Sequence, residues 1–193
     1  LAALLLAIGG AHAASGASAT LVSIPTPRGA KQAFILVTPE KPVASVILFA
    51  GGHGALGLTS AGAMKWGTGN FLVRARDLFA AHGLLVAVID APSDQQEGMS
   101  AEFRMGRAHA ADIGAVVANL KSRAAVPVWL VGTSTGTFSA AGGAIGARGV
   151  DGLVLTSTIT RSKRAWKIAS SHPDGVASMA LARVTVPSLI MSH

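Results

Sequence analysis

Residues 126–136, with the sequence VPVWLVGTSTG, decide the fold. The first six residues form a continuous apolar run, which is typical of a strand buried on both faces of a parallel sheet. The run leads directly into Gly132-Thr133-Ser134-Thr135-Gly136, and small residues that are compatible with a helix continue up to Ala147. The stretch therefore predicts a buried strand, a sharp turn with Ser134 at its tip, and a helix that returns along the strand.

The two glycines of this turn stand two positions before and after Ser134. Larger side chains at these positions would clash where the helix returns close to the strand, so a strained turn of this kind favours glycine at both. A serine exposed on such a turn is suited to nucleophilic attack, and the next backbone N–H points at the oxyanion that forms. The pattern predicts Ser134 as the nucleophile and the N–H of Thr135 as an oxyanion donor.

Strands and helices alternate along the rest of the chain. The apolar runs at residues 43–49, 84–89, 153–156 and 186–191 predict further buried strands, and residues 21–24 and 33–37 predict an antiparallel hairpin or two edge strands. Helices are expected over residues 71–82, with Asn70 as the N-cap and Gly83 as the stop, over 100–121, and over the basic stretch 162–171. This order indicates an α/β fold with an open, mostly parallel sheet and helices on both faces.

A second glycine motif, Gly52-x-Gly54-x-x-Gly57, also follows a predicted strand. The spacing matches a dinucleotide-binding loop, but a helix should then open at once, and the ribose-binding acid should end the next strand about 20 residues on. Further glycines follow instead, and Asp90 comes only after an intervening helix. The preferred interpretation is a loop that supplies the second oxyanion donor, from the N–H of Gly52 or of His53. A dinucleotide-binding reductase is the less favoured alternative.

The motifs GGHG (51–54), DAPSD (90–94) and VWLVGTSTG (128–136) together resemble the α/β-hydrolase family, and in particular small bacterial members with a signal peptide. The resemblance covers about residues 20–193. It implies that Ser134 is the nucleophile, with oxyanion donors at Thr135 and at Gly52 or His53. The family also needs an acid and a histidine, and neither has a matching position here. The strand before the acid would be 186–191, so the C-terminal part of the fold is expected to be missing.

The histidines and acids within the chain have ordinary alternative roles. The six histidines are expected to be surface or packing residues rather than general bases, and Asp94 to be a cap or turn former. His109 and Asp112 stand three apart on a predicted helix, but two ligands without a third make a poor metal site. We expect neither a metal nor a cofactor. The histidines are His12, His53, His82, His109, His172 and His193.

The two ends of the chain and its composition bound the remaining possibilities. Residues 1–19 are expected to be part of a signal peptide, with small-residue cleavage patterns at Ala11-His12-Ala13 and Ala17-Ser18-Ala19, and residues 20–193 to be the hydrolase domain. The chain is 50% hydrophobic and 13% charged, which excludes a disordered polar chain. The absence of cysteine excludes disulfides and thiolate metal sites. The net charge of +7 is scattered, apart from a short cluster at residues 161–167 that is expected to be a solvated surface.

The sequence thus predicts a secreted or periplasmic serine hydrolase that acts on a small acyl substrate through an acyl-enzyme at Ser134. No nucleic acid and no stable membrane anchor is expected. Residues 1–193 alone are expected to show no appreciable esterase activity, because no general base is placed to activate Ser134. A non-catalytic protein of the same fold is the main alternative. Met64 and Trp66 either line the substrate pocket or pin their glycine-rich loop to the core.

Overall fold

The computed structural model describes residues 18–59 and 63–191, and these contain one seven-stranded sheet. The strand order is β1-β2-β4-β3-β5-β6-β7. All neighbouring pairs from β4 to β7 are parallel, while β2 is antiparallel to both β1 and β4. The predicted open, mostly parallel sheet is confirmed. The strands are β1 (Ser18–Pro25), β2 (Lys31–Thr38), β3 (Ala44–Phe49), β4 (Leu84–Ile89), β5 (Val128–Thr133), β6 (Gly152–Thr156) and β7 (Ser188–Met191).

The predicted hairpin is formed by β1 and β2, which pair over their full length from Ser18↔Thr38 to Pro25↔Lys31. The predicted leader, residues 1–19, lies outside the described residues except for Ser18 and Ala19, which begin β1. The His12 and His193 positions also lie outside the described residues.

The helices predicted over residues 71–82 and 100–121 are each broken into two helices. Ala75 separates the first pair, and Gly106 separates the second. Gly106 has an extended backbone (φ −78°, ψ 160°), and its carbonyl oxygen accepts the first hydrogen bond of the following helix from Ala110. Glycine is a poor helix former, so the break occurs there at little cost. The helices are α1 (Phe71–Arg74), α2 (Arg76–Ala81), α3 (Ala101–Met105), α4 (Arg107–Arg123) and α5 (Gly136–Gly146).

The helices cover both faces of the sheet, and each face has its own apolar core. One core includes the predicted apolar face of α4, whose members are at most 1% exposed. The other lies under α1 and α2 and includes Leu72, Val73 and Ala80. Each fully buried aliphatic side chain contributes about 2 kcal/mol of burial free energy, so the sheet is held firmly between these layers. The α4 face consists of Ile113, Val116, Val117 and Leu120.

The predicted basic helix over residues 162–171 is wrong, because this stretch is a series of turns. Trp166 packs edge-on against Phe138 with ring centroids 6.0 Å apart, and Ile168 is buried in the same core cluster. Residues two apart point in nearly opposite directions on an α-helix, so a helix cannot bury both side chains on one side. Tertiary packing of Trp166 and Ile168 therefore overrides the local helical preference.

The apolar run at residues 186–191 forms the strand β7 parallel to β6, but the prediction that this strand is buried is wrong, because among the described residues β7 is an edge strand with β6 as its one neighbour in the sheet. All four of its residues are exposed. Within the described ranges, no helix combines the length and the apolar character that crossing a membrane requires.

Candidate active site

The turn after β5 brings Ser134 to the carboxyl edge of the sheet in a left-handed backbone conformation. Its φ is 52°, which is uncommon for a residue with a side chain and costs about 1–3 kcal/mol. The helix α5 begins two residues later. A Cβ at Gly132 would stand 2.6 Å from the carbonyl oxygen of Gly136, and a Cβ at Gly136 would collide with the carbonyl oxygen of Phe49. The turn has the strained geometry that the glycine spacing predicts.

Backbone and hydroxyl contacts hold Ser134 in this conformation. Its N–H donates to the carbonyl oxygen of Thr156 on β6 (3.2 Å). Its own carbonyl oxygen accepts from the Thr137 hydroxyl (2.5 Å) and from the Thr137 N–H (3.0 Å). The Ser134 side chain is only partly exposed, and its hydroxyl makes no hydrogen bond with the described residues. Within these residues the hydroxyl therefore has no intramolecular partner.

The loop after β3, residues 51–54, here called the glycine-rich loop, lies directly against this turn. A Cβ at Gly51 would stand 3.0 Å from the Cβ of Ser134. The Thr135 hydroxyl donates to the carbonyl oxygen of Gly52 (2.6 Å), which ties the loop to the turn. In the described part of the chain, the N–H groups of Gly52, His53 and Thr135 donate to no protein acceptor. The structure thus brings together all the residues that the sequence analysis assigned to the nucleophile and the oxyanion donors.

Arg104 lies beneath the glycine-rich loop and is almost completely buried, with 1% of its surface exposed. Its guanidinium donates to the carbonyl oxygen of Gly52 (3.2 Å), to that of Ala50 (3.5 Å) and to the Ser139 hydroxyl (3.0 Å). Burial lowers the pKa of Arg104 to about 10, so the group stays charged at neutral pH. None of the ion pairs among the described residues includes it. A buried positive charge therefore holds the loop by its carbonyl oxygens.

Two cavities border the candidate site and share Gly52. One, of about 550 Å³, is lined by Ser134, Gly51 and Trp66 among others. The second, of about 440 Å³, is lined by Thr135 and His53 and extends towards residues 163–168. The Trp66 ring also lies against the His53 ring, with centroids 4.0 Å apart and planes inclined by 42°, while Met64 packs against the core under α1 and α2. Of the two interpretations of this loop, Trp66 therefore fits the pocket and Met64 fits the core.

No protein-family model matches this chain, and no curated protein matches it either. Solved structures do. A cold-adapted esterase from an Arctic intertidal metagenomic library is 16% identical with a TM-score of 0.62, and the match covers 92% of this chain and 73% of that protein. The α/β hydrolase GrgF from Penicillium sp. sh18 is 14% identical with a TM-score of 0.56, over 75% of this chain and 47% of that one. This chain has the α/β-hydrolase fold.

Another protein with this fold, a thermostable carboxyl esterase from Bacillus coagulans, is 19% identical with a TM-score of 0.56. The match covers 79% of this chain and 48% of the esterase. The chain thus spans about half the length of this esterase and of the Penicillium hydrolase. Sequence identity at this level supports the shared α/β-hydrolase fold, and the activity has to be argued from the site itself.

No histidine in the described part of this α/β-hydrolase fold makes a hydrogen bond to Ser134. His53 accepts a hydrogen bond on Nδ1 from the Ala55 N–H (3.2 Å), and His172 bonds to the hydroxyl of Ser171 (2.9 Å). His82 is exposed at the end of α2. None of these three histidines makes a hydrogen bond to Ser134 in the described part of the chain.

His109 is fully buried between aromatic rings, 5.3 Å from the centroid of Phe103 and 6.2 Å from that of Phe49. Its burial, together with the positive charges of Arg104 and Arg28, lowers its pKa to about 3. Neither of its ring nitrogens has a hydrogen-bond partner among the described residues. The imidazole is therefore a neutral packing group at physiological pH.

The predicted turn-former Asp94 and the metal candidate Asp112 both bind Arg28. The Arg28 guanidinium donates to both carboxylates, with N···O distances from 2.5 to 2.9 Å. These hydrogen bonds lower the pKa of Asp94 and raise the pKa of Arg28. The carboxylate of Asp112 is committed to this pair, and the described residues contain no group of three potential metal ligands. Asp94 does lie in a turn, but the prediction of a turn-forming role missed its main contact, which is the ion pair with Arg28.

The buried carboxylate of Asp90 anchors the segment that follows the glycine-rich loop. Oδ1 accepts from the N–H groups of Leu56 (2.6 Å) and Ala91 (2.7 Å), and more distantly from Gly57 (3.3 Å), while Oδ2 accepts from Leu58 (3.0 Å). Two amides of the Gly52-x-Gly54-x-x-Gly57 motif, those of Leu56 and Gly57, thus bind a protein carboxylate. Among the described residues between this loop and α1 no helix begins, so they do not provide the helix N-terminus that pyrophosphate needs.

The structure adds residues to the site that the sequence analysis did not assign to it. Arg104 and Asp90 contact the glycine-rich segment only through tertiary packing, so no local spacing marks them. Ser157 follows β6 with a φ of 45° and stands one residue beyond Thr156, the backbone partner of Ser134. A second strained serine at the carboxyl edge of the neighbouring strand has no recognisable signal in the sequence.

Proposed function

We propose that this chain carries the nucleophile and oxyanion site of a serine hydrolase that acts on ester-like acyl substrates through an acyl-enzyme. The observation that carries the proposal is the left-handed backbone of Ser134 at the carboxyl edge of the sheet, beside N–H groups from two different loops that have no acceptor in the part of the chain that the structure describes. Strain of about 1–3 kcal/mol at a single residue persists only where the surrounding structure enforces it, and it is concentrated at functional sites.

In this proposal the Ser134 hydroxyl attacks the carbonyl carbon of the substrate and gives its proton to a histidine. The carbonyl oxygen becomes an oxyanion that accepts hydrogen bonds from the protein. Collapse of this intermediate breaks the bond to the alcohol, which leaves with the proton of the histidine. Water then attacks the acyl-serine and releases the acid. The histidine and its orienting acid are proposed to come from beyond residue 193, as the resemblance to the family implies.

The orientation of the loop favours Gly52 over His53 as the second oxyanion donor. The Gly52 carbonyl oxygen accepts from the Thr135 hydroxyl and from Arg104, so it faces the turn. The Gly52–His53 peptide is trans, and the N–H of His53 therefore points away from these groups. We propose that the N–H groups of Thr135 and Gly52 bind the oxyanion.

Ester hydrolysis by the full-length protein that contains this sequence tests the proposal. The Ser134→Ala variant is expected to lower kcat by about 10⁴-fold or more, since it removes the nucleophile. The matched control is Ser122→Ala, because Ser122 is exposed on α4 and donates only to the Asn119 carbonyl oxygen. An unchanged kcat in a folded Ser134→Ala variant would contradict the proposal. A wild-type protein that hydrolyses no ester and has an unreactive Ser134 would favour a non-catalytic role instead.

We also propose that the protein is secreted or periplasmic, on the basis of the apolar leader and its small-residue cleavage patterns.

A further inference from the structure

The second cavity beside the candidate site, of about 440 Å³, is lined in part by Lys163 and residues 165–168, which belong to the segment 161–168, here called the basic loop. Gly52 and Thr135 form one side of this cavity, and Lys163 and Lys167 of the basic loop form another. A volume of this size falls in the range of small-molecule sites. A group bound here would lie next to the proposed oxyanion donors.

The basic loop is held in place by its own packing. Trp166 contacts Phe138 of α5, and Ile168 is 4% exposed. At the base of the loop, the Ser162 N–H donates to the carbonyl oxygen of Pro173 (2.9 Å) and its hydroxyl donates to that of His172 (2.5 Å). The lysines are thus carried by an anchored segment that positions them at the cavity.

The charges that line this cavity are mostly positive. Its lining contains three basic side chains and one acidic side chain. The basic ones are those of Lys163, Lys167 and the buried Arg104, and the acidic one is that of Glu102. Within residues 18–59 and 63–191, neither lysine takes part in an ion pair, and Arg104 binds only neutral oxygens. Lys163 also stands over the Trp166 ring, 5.8 Å from its centroid. Positive groups without protein counter-charges in a concave site attract an anionic ligand.

We propose that this cavity binds a carboxylate on the substrate, so that the preferred substrates are esters whose acyl chain ends in a negative charge. The inference rests on the proposed function, because it places this anion on the acyl group that Ser134 would attack. Lys163 and Lys167 are assigned to the carboxylate. Arg104 contributes its charge from beneath, while its hydrogen bonds hold the glycine-rich loop.

Two esters of equal chain length separate charge from size. Mono(4-nitrophenyl) glutarate ends in a carboxylate, whereas 4-nitrophenyl valerate ends in a methyl group. The full-length protein is expected to have a kcat/KM about tenfold higher for the glutarate ester, and this ratio is expected to fall as salt is added. Equal values, or a preference for valerate, would overturn the inference.

Neutral substitutions locate the charge that produces this selectivity. Lys163→Met and Lys167→Met are each expected to lower the glutarate-to-valerate ratio by about fivefold, as expected for a partly exposed ion pair. The control is Lys41→Met, because Lys41 is exposed before β3, at the opposite end of that strand from the site. A ratio that survives in the Lys163→Met/Lys167→Met double variant would contradict the assignment.

Binding measured by calorimetry separates this inference from the proposed function. Glutarate is expected to bind the Ser134→Ala variant, the neutral glutaramide is not, and the double lysine variant is expected to lose glutarate binding. If wild type hydrolyses neither ester but glutarate still binds in this lysine-dependent way, the proposed function fails and the anion site stands. If valerate is hydrolysed through Ser134 but glutarate does not bind, the proposed function stands and the anion site is refuted.

Discussion

At the scale of single residues, the candidate site depends on side chains that position the backbone. Thr137 holds the carbonyl oxygen of the strained Ser134, and the Thr135 hydroxyl binds the Gly52 carbonyl oxygen. Arg104 binds the same Gly52 oxygen from the interior. An oxyanion site stabilises developing charge only when its donors are already oriented, so these residues matter through the N–H groups that they orient.

Replacing Arg104 by methionine tests this positioning role. The variant leaves the carbonyl oxygens of Ala50 and Gly52 and the Ser139 hydroxyl without their donor, and we expect a loss of about 1–3 kcal/mol in the free energy of unfolding. Because the carbonyl oxygens of Ala50 and Gly52, on either side of the Gly51–Gly52 peptide, are no longer held, the N–H of Gly52 is less well oriented, and kcat for ester hydrolysis is expected to fall about tenfold or more with a smaller change in KM. The measurement is steady-state kinetics beside thermal unfolding of the full-length protein.

The control for Arg104 is Arg107→Met, which removes an exposed arginine from the start of α4. A folded Arg104→Met protein with an unchanged kcat would show that the arginine serves packing alone. Arg104→Lys, which keeps the positive charge, is expected to recover part of the lost kcat.

His109 makes the stability of the domain sensitive to acid. Its pKa is about 3 in the folded protein and about 6.5 when exposed, so below pH 6.5 the unfolded state binds a proton that the folded state does not. The free energy of unfolding therefore falls by up to about 1.4 kcal/mol per pH unit as the pH drops from 6.5 towards 3. At pH 4.5 this residue alone costs about 2–3 kcal/mol relative to pH 7.

His109→Leu removes this titrating group and is expected to abolish that part of the acid sensitivity. Denaturant unfolding at pH 7 and at pH 4.5 measures the difference for each protein. The control is His82→Leu, because His82 is exposed in the folded protein. If His109→Leu and wild type lose equal stability between the two pH values, the claim that His109 is buried and neutral in the folded protein is refuted.

At the scale of elements, the site is made where strands end and loops begin. The carboxyl ends of β3, β4 and β5 supply the glycine-rich loop, Asp90 and the turn of Ser134 respectively. These strands are adjacent in the sheet, so segments that are far apart in the sequence meet at one edge. Asp90 fixes the segment after the glycine-rich loop by binding its amides.

Asp90→Asn tests how far this carboxylate determines the conformation of the loop. The asparagine side chain has an NH₂ group in place of one of the two carboxylate oxygens. Because that oxygen accepts hydrogen bonds from backbone N–H groups, the bond from Leu56 or the bond from Leu58 is lost. We expect about 2–4 kcal/mol of destabilisation and faster hydrogen exchange at the amides of residues 56–58. Asp77→Asn is the control, because its side chain is 70% exposed. Unchanged exchange at residues 56–58 would contradict the anchoring role.

The strands were predictable because continuous apolar runs need a sheet that is covered on both faces. The turn of Ser134 and the loop of Gly52 were predictable because close backbone approach restricts those positions to glycine. The conformation of the basic loop was not predictable from the sequence. Its residues permit a helix, and only the joint burial of Trp166 and Ile168 in the folded protein excludes a helix there. Arg104 and the cavity lysines were missed because their neighbours lie tens of residues away in the chain.

At the scale of the whole molecule, the start of β1 bears on the proposed secretion. Ser18 and Ala19 pair with Thr38 and Val37 in the sheet. Cleavage of the leader after Ala19 would remove both pairs, whereas cleavage after Ala13 leaves all of β1 in place. We expect the exported protein to begin at Ala14, which mass spectrometry of its N-terminal peptide would show. A mature N-terminus at Thr20 would contradict this preference.

The central claim is that Ser134 is the activated nucleophile of an α/β-hydrolase fold, and a fluorophosphonate probe tests it most directly. Such a probe forms a covalent bond only with a serine whose hydroxyl is activated for attack. The full-length protein is expected to take up one probe molecule, located at Ser134 by peptide mass spectrometry. Ser134→Ala is expected to take up none, while Ser122→Ala labels as wild type does. An intact, folded protein that takes up no probe, or takes it up at another serine, would contradict the account.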